Sequence, residues 1–215
     1  MAVGGRGRPP RLPCPTESPR ADTGVRPYVG LRIEGNRCDM TSRIAAHKSA
    51  NLRPATGFIR KVLFDTIAAH VPGAAFLDLF AGTGSVGLEA LQRGAASATF
   101  VEKDRAVARA LRSSIEAAGV AEGCRVFAID AVSFLRRRTD PSEFDIIFAG
   151  PPYERGYLKM LVHILFCPER LPTRVLVIQT SKFELAQVKL PDAFPIRQKR
   201  IGDTVLLITE RQKEK

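Results

Sequence analysis

The sequence has no apolar run approaching the ~20 residues that a membrane-spanning helix needs, so no membrane partner is expected. Cysteine is scarce and scattered, at Cys14, Cys38, Cys124 and Cys167, with no CxxC pair. That spacing excludes a zinc knuckle and a disulfide framework. Reduced thiols in a cytoplasmic protein are the expectation, with no metal. The N-terminus lacks an apolar stretch and does not read as a secretory signal. Its arginines could imitate a transit peptide, but Glu17, Asp22 and the prolines speak against that. No internal repeat is visible. Acidic residues are in deficit, 22 Asp and Glu against 33 Lys and Arg, for a net charge of +11.

What is present is enough for one domain and an appendage in 215 residues. At 45% hydrophobic the chain can bury a real core without staples. The positive charge is uneven. Residues 1–62 hold 12 basic side chains against 4 acidic, or +8, and residues 63–215 hold 21 against 18, or +3. A basic segment beside a near-neutral domain suits a phosphate-bearing partner, and suits a solubilising tail equally well.

Residues 1–28 are rich in Arg, Pro and Gly and are expected to be disordered. Residues 29–72 read as a segment packed on the main domain, with a strand at Val29–Ile33. After Leu52-Arg53-Pro54 a helix is expected, with Thr56 as its N-cap and Phe58, Ile59, Val62, Leu63, Phe64 and Ile67 at helical spacing. Val71-Pro72-Gly73 should stop it.

Residues 73–210 alternate strand and helix. Strands are expected at Ala75–Leu79, Ala98–Val101, Arg125–Ile129, Phe144–Phe148 and Arg174–Gln179. Helices are expected at Val86–Gln92, Asp104–Ala118, Ala131–Arg137 and Tyr157–Phe166. Phe194–Arg200 and Thr204–Thr209, joined around Gly202-Asp203, read as a closing hairpin. Such alternation implies an α/β fold with a parallel, doubly wound sheet.

Four segments carry chemistry. Asp78-Leu79-Phe80-Ala81-Gly82-Thr83-Gly84 ends the first strand, where open α/β sheets meet their ligands. Its glycines let backbone approach a ligand and start the next helix. With Gly87 the loop also matches a dinucleotide fingerprint, so alone it does not separate NAD from S-adenosylmethionine. Asp78 favours the latter, because a carboxylate at the crevice attracts an ammonium and repels a pyrophosphate. Its plainer role would be to cap the loop amides.

Glu102 ends the second strand and suits the hydroxyls of a ribose. Asp104 reads as the N-cap of the following helix. Asp130 ends the third strand and could accept an adenine amino group or cap its own helix. The fourth segment is Gly150-Pro151-Pro152-Tyr153 after an apolar strand. Two prolines fix φ twice and leave backbone carbonyls that can accept from an exocyclic NH₂. Tyr153 can stack on the base.

With these residues in hand, the chain resembles the bacterial RsmD-type methyltransferases from about Val29 to Thr209. The resemblance rests on Arg53-Pro54-Ala55-Thr56 with Arg60 and Leu63-Phe64, on Asp78–Ala90 including Gly87, Leu88 and Glu89, and on Glu102-Lys103-Asp104-Arg105. It implies a Rossmann-like S-adenosylmethionine-dependent methyltransferase fold, with a mostly parallel seven-stranded sheet and a C-terminal antiparallel hairpin. It implies methyl transfer to the exocyclic N2 of a guanine in small-subunit ribosomal RNA. Cofactor contacts fall on Asp78, Phe80, Ala81, Gly82, Thr83, Gly84, Glu102, Lys103, Asp130 and Ala131. Catalytic contacts fall on Gly150, Pro151, Pro152 and Tyr153, and RNA contacts on Arg53, Thr56, Arg60 and Lys61.

The sequence departs from the family pattern twice. Gly150 stands where the family has Asp, Asn or Ser, and Gly57 where it has Asp. The first departure removes a side-chain acceptor for the target amine. Rival readings are an adenine-N6 methyltransferase on RNA or DNA, a non-catalytic RNA-binding assembly factor that keeps the fold, and, weakest, an NAD oxidoreductase. The expected partner is ribosomal RNA or the small ribosomal subunit, and a monomer is expected.

Overall fold

The computed structural model describes residues 57–137, 143–153, 155–166 and 174–210. The extension 1–28, the strand expected at Val29–Ile33, and Arg53 and Thr56 lie outside the described residues.

Helix α1 (Gly57–Ile67) buries Leu63, Phe64 and Ile67. Steps of three and four residues put these side chains on one helix face. A 3-10 turn at Ala68–His70 and Gly73 at φ 72° then redirect the chain. There follow β1 (Ala75–Asp78), α2 (Ser85–Gln92), β2 (Ser97–Val101), α3 (Arg105–Ala117), β3 (Cys124–Phe127) and α4 (Ala131–Arg137). Next come β4 (Ile146–Ala149), α5 (Tyr157–Leu165), β5 (Val175–Ser181), α6 (Lys182–Leu185), β6 (Ile196–Ile201) and β7 (Thr204–Glu210).

The sheet order is β3-β2-β1-β4-β5-β7-β6. Strands β1 to β5 pair in parallel. Strand β7 runs antiparallel between β5 and β6. Seven strands, mostly parallel with an antiparallel closing hairpin, are what the sequence predicts. The hairpin turns where Ile201 pairs Thr204, with Gly202 at φ 60° supplying the left-handed residue that a two-residue loop demands.

Apolar alternation along the strands builds a core on each side of the sheet. One side joins Phe64 of α1 to Phe76, Phe148, Val177 and Leu206. The other joins Phe134 of α4 and Leu158 and Leu161 of α5 to Leu77, Ile147 and Ile178. The chain leaves β1 toward β3 on one side and returns to β4 on the other. The adjacent carboxyl ends of β1 and β4 therefore form the switch-point crevice of the fold.

Three local differences from the sequence reading have physical causes. Strand β3 stops at Phe127 rather than Ile129, because its pairing with β2 ends at Val101↔Phe127. Strand β4 begins at Ile146 rather than Phe144. Asp145 instead ties the strand starts together, accepting from the Ala75 amide at 2.9 Å and pairing Arg174 at 3.2 Å. Helix α6 was not expected. Ser181 caps it by accepting from the Glu184 amide at 3.0 Å, a cap sitting at the end of an apolar strand.

Candidate active site

The loop after β1 is held open by its neighbours. The Leu79 amide donates to the Phe148 carbonyl at 2.9 Å and the Ala81 amide to the Val101 carbonyl at 2.9 Å. Gly82 at φ 54° and Gly84 at φ 78° take left-handed conformations that other residues adopt at a cost. Gly87 is required by packing: a Cβ there would lie 2.4 Å from Cε1 of Phe100 on β2. Helix α2 can approach the sheet only without that atom.

Asp78 is buried, and its Oδ2 accepts from the Gly87 amide at 3.3 Å. Its Oδ1 is also buried and has no hydrogen-bond partner among the described residues. Burial pushes the carboxyl from 3.8 up to about 7, against the pull of the Gly87 and Phe80 amides and with a smaller push from Glu102. The loop-capping role of Asp78 is seen directly in its contact with Gly87. One oxygen holds the loop, and the other is an unspent acceptor.

Glu102 is buried too. Its Oε2 accepts from the Gly82 amide at 3.0 Å and its Oε1 from the Asp104 amide at 2.8 Å. Each oxygen keeps a second lone pair for a hydroxyl donor. Asp104 caps α3, accepting from Ala106 at 2.8 Å and Val107 at 3.2 Å. Lys103 beside it is exposed.

Asp130 caps α4, its Oδ1 accepting from Val132 at 3.0 Å and Ser133 at 3.1 Å. Its Oδ2 faces the Tyr157 hydroxyl at 3.4 Å. The Tyr157 ring meets Phe80 edge-on at 5.1 Å between centroids. Ala131 is buried behind them. Phe80, Asp130 and Tyr157 so form a wall with one polar and one aromatic face, of the kind a nucleobase needs.

Gly150-Pro151-Pro152-Tyr153 follows β4 directly. Pro151 is buried and Pro152 exposed. Tyr153 is half-buried, and its hydroxyl accepts from Nε2 of Gln179 at 2.9 Å and lies 3.2 Å from Oγ1 of Thr204. The carboxyl ends of β4, β5 and the start of β7 are thereby bound together.

Among the proposed RNA residues, Arg60 pairs with Glu89 at 2.9 Å and fastens α1 to α2. Lys61 is 69% exposed beside Asp65. Among the described residues, no group of three or more His, Cys, Asp or Glu converges to hold a metal ion, and no helix is long and apolar enough to cross a membrane.

The family model described as Conserved hypothetical protein 95 matches residues 33–210. Ribosomal RNA small subunit methyltransferase D of Escherichia coli (strain K12) is 35% identical over 157 residues, covering 73% of this chain and 78% of that protein. The chain belongs to this family. The family's Haemophilus influenzae protein of the same name is 29% identical over 168 residues, 77% of this chain and 83% of that one. The solved chain yhhF from Escherichia coli superposes with a TM-score of 0.65 at 32% identity, covering 77% of this chain and 90% of its own. An RNA methyltransferase from Salinibacter ruber, solved with S-adenosyl-L-homocysteine, shares the fold at a TM-score of 0.57 and 18% identity, over 75% and 95% of the two chains.

Tyr157, Gln179 and Thr204 join the site without having been singled out in the sequence. Only Tyr157 carried a usable signal, an aromatic opening the helix just after Pro-Pro-Tyr.

Proposed function

We propose that the chain is an S-adenosylmethionine-dependent methyltransferase that modifies the exocyclic N2 of a guanine in small-subunit ribosomal RNA. One observation carries the reading. The glycine loop and the Gly150-Pro151-Pro152-Tyr153 loop leave the carboxyl ends of adjacent, hydrogen-bonded parallel strands, one on each side of the switch point. A nucleoside cofactor over the first loop would therefore face a base over the second.

The residues fit that cofactor. Asp78 offers a buried acceptor with no partner, suited to the ammonium of a methionine moiety. Glu102 has lone pairs for ribose hydroxyls, and Phe80, Asp130 and Tyr157 line an adenine-sized face. Held by Asp78, Glu102, Phe80, Asp130 and Tyr157, the cofactor would supply a methyl group activated by its sulfonium.

The chain's own residues supply position. Holding the amine in line with the methyl is worth roughly 7–11 kcal/mol in well-oriented reactions. The main-chain carbonyls of Gly150 and Pro151 accept from the NH₂ and draw its lone pair out of conjugation with the ring. Tyr153 stacks on the base, which must leave its helix to arrive. Lys61, together with Arg53 and Thr56, reads as the phosphate contact of the RNA, while Arg60 is spent on Glu89 and holds the helix that carries Lys61.

Gly150 also supports a second reading, a non-catalytic RNA-binding assembly factor, because the family's side-chain acceptor is missing. Nucleoside mapping of ribosomal RNA by mass spectrometry decides between them. Cells lacking the protein should lose one N2-methylguanosine. The wild-type gene should restore it and Tyr153→Ala should not. Cofactor binding with no change in any modified nucleoside would favour the assembly factor, and loss of an N6-methyladenosine would favour an adenine enzyme.

A further inference from the structure

By the resemblance drawn from the sequence, position 150 is one where a side-chain oxygen would meet the target amine, and glycine has none. The structure holds another oxygen close to that place. Gly150 lies one step past the pairing of Ala149 with Ile178, which sets it beside Gln179 of the neighbouring strand. Side chains on paired parallel strands at matching positions point to the same face. A Cβ built on Gly150 would sit 4.0 Å from Oε1 of Gln179.

Two further facts single out this oxygen. Oε1 of Gln179 is buried and accepts no hydrogen bond among the described residues. A buried acceptor left unmade costs free energy and asks for a reason. The other end of the amide is fixed. Nε2 donates to the Tyr153 hydroxyl at 2.9 Å, and that hydroxyl lies 3.2 Å from Oγ1 of Thr204. The chain Thr204–Tyr153–Gln179 thus fixes the nitrogen end of the amide on Tyr153, with the carbonyl end left within 4.0 Å of a Cβ built on Gly150.

We infer that Gln179 supplies the side-chain acceptor for the exocyclic amine, in place of the residue lacking at position 150. The inference rests on the reading of the site as a base-amine methyltransferase. As the nitrogen gains a methyl and becomes cationic, its N–H donates more strongly. An acceptor fixed beside it therefore stabilises the transition state more than bound substrate. Gln179 acts on kcat more than on RNA binding. It also favours a primary amine, since Oε1 takes one N–H while the main-chain carbonyls of Gly150 and Pro151 take the other.

The test compares wild type with Gln179→Met, Gln179→Glu and the double variant Gln179→Met/Gly150→Asn on small-subunit RNA. Methionine keeps the shape and loses both poles. Glutamate keeps an acceptor, and the Tyr153 hydroxyl can donate to it. Affinity for S-adenosyl-L-homocysteine, by calorimetry, reports that each variant is folded. Gln179→Met should lower kcat by roughly 10- to 100-fold, the weight of a hydrogen bond to a charged group, with KM for RNA within about threefold of wild type. Gln179→Glu should be at least about tenfold faster than the Met variant.

Adding Asn at position 150 should recover activity, after the Phe148 ring, 3.1 Å from the new Cβ, gives way slightly. Equal kcat in wild type and the Met variant would overturn the inference, as would equal losses in the Met and Glu variants. A wild-type protein that transfers no methyl to a base amine would instead defeat the underlying reading.

Discussion

Asp78→Asn should stabilise the free protein and weaken its hold on the cofactor, both in a pH-dependent way. The Asp78 carboxyl is fully buried, and burial raises it from 3.8 to about 7. Below pH 3.8 folded and unfolded chains both carry the protonated acid, and no penalty exists. Between pH 3.8 and 7 the unfolded chain releases its proton first, so stability falls as pH rises, and it is flat above pH 7. The full penalty is about 4 kcal/mol.

Asparagine removes it, but puts an NH₂ where an oxygen now lacks a partner, at a cost of about 1–3 kcal/mol. The net expectation is a gain of about 1–3 kcal/mol at pH 8 and none, or a small loss, at pH 5. Cofactor binding should move the other way. An ammonium about 4 Å from a carboxylate gains up to ~4 kcal/mol at an effective dielectric of 20, part of it spent on desolvation. S-adenosyl-L-homocysteine affinity should drop by roughly 10- to 100-fold at pH 8 and less at pH 5. Urea unfolding and calorimetry at the two pH values measure both. A stability change of the same size at pH 5 and pH 8 would refute the buried-charge argument, and unchanged affinity would refute the ammonium contact.

Gly87→Ala should cost about 1–3 kcal/mol by overpacking, because the new Cβ falls 2.4 Å from Cε1 and 2.9 Å from Cζ of Phe100. The urea midpoint reads the loss, and Phe100→Leu in the same chain should recover part of it. Asp104→Ala should cost about 1 kcal/mol as a lost helix cap, with no change in S-adenosyl-L-homocysteine affinity by calorimetry. A weakened affinity there would mean that Asp104 belongs to the cofactor site.

Periodicity reached the sheet and most of its helices because the central strands β1, β2, β4 and β5 are mostly apolar and buried and each long helix buries one face. It did not reach strand ends, which depend on where a neighbour stops. Ile129 is as apolar as Phe127, yet β2 has no residue left to pair with it once Glu102 turns into the loop. Helix α6 escaped because its cap, Ser181, sits inside β5, and a strand-like run hides a helix start.

The site divides the same way. Asp78, Glu102 and Asp130 were legible because each follows an apolar strand, and position along the chain decides which end of the sheet it joins. Their roles were less legible, because a carboxylate near backbone amides spends oxygens on them first. Glu102 and Asp130 each give oxygen to two amides, while Asp78 gives one and keeps one. Gln179 is the limiting case. Nothing in Ile178-Gln179-Thr180 marks a functional residue. Its meaning comes from lateral pairing with β4, from the tie to a tyrosine 26 positions away, and from an empty Cβ position at Gly150. A missing side chain is visible in a sequence. The neighbour that could answer for it becomes visible only when the strands are laid side by side, so the departure at Gly150 has to be judged together with Gln179.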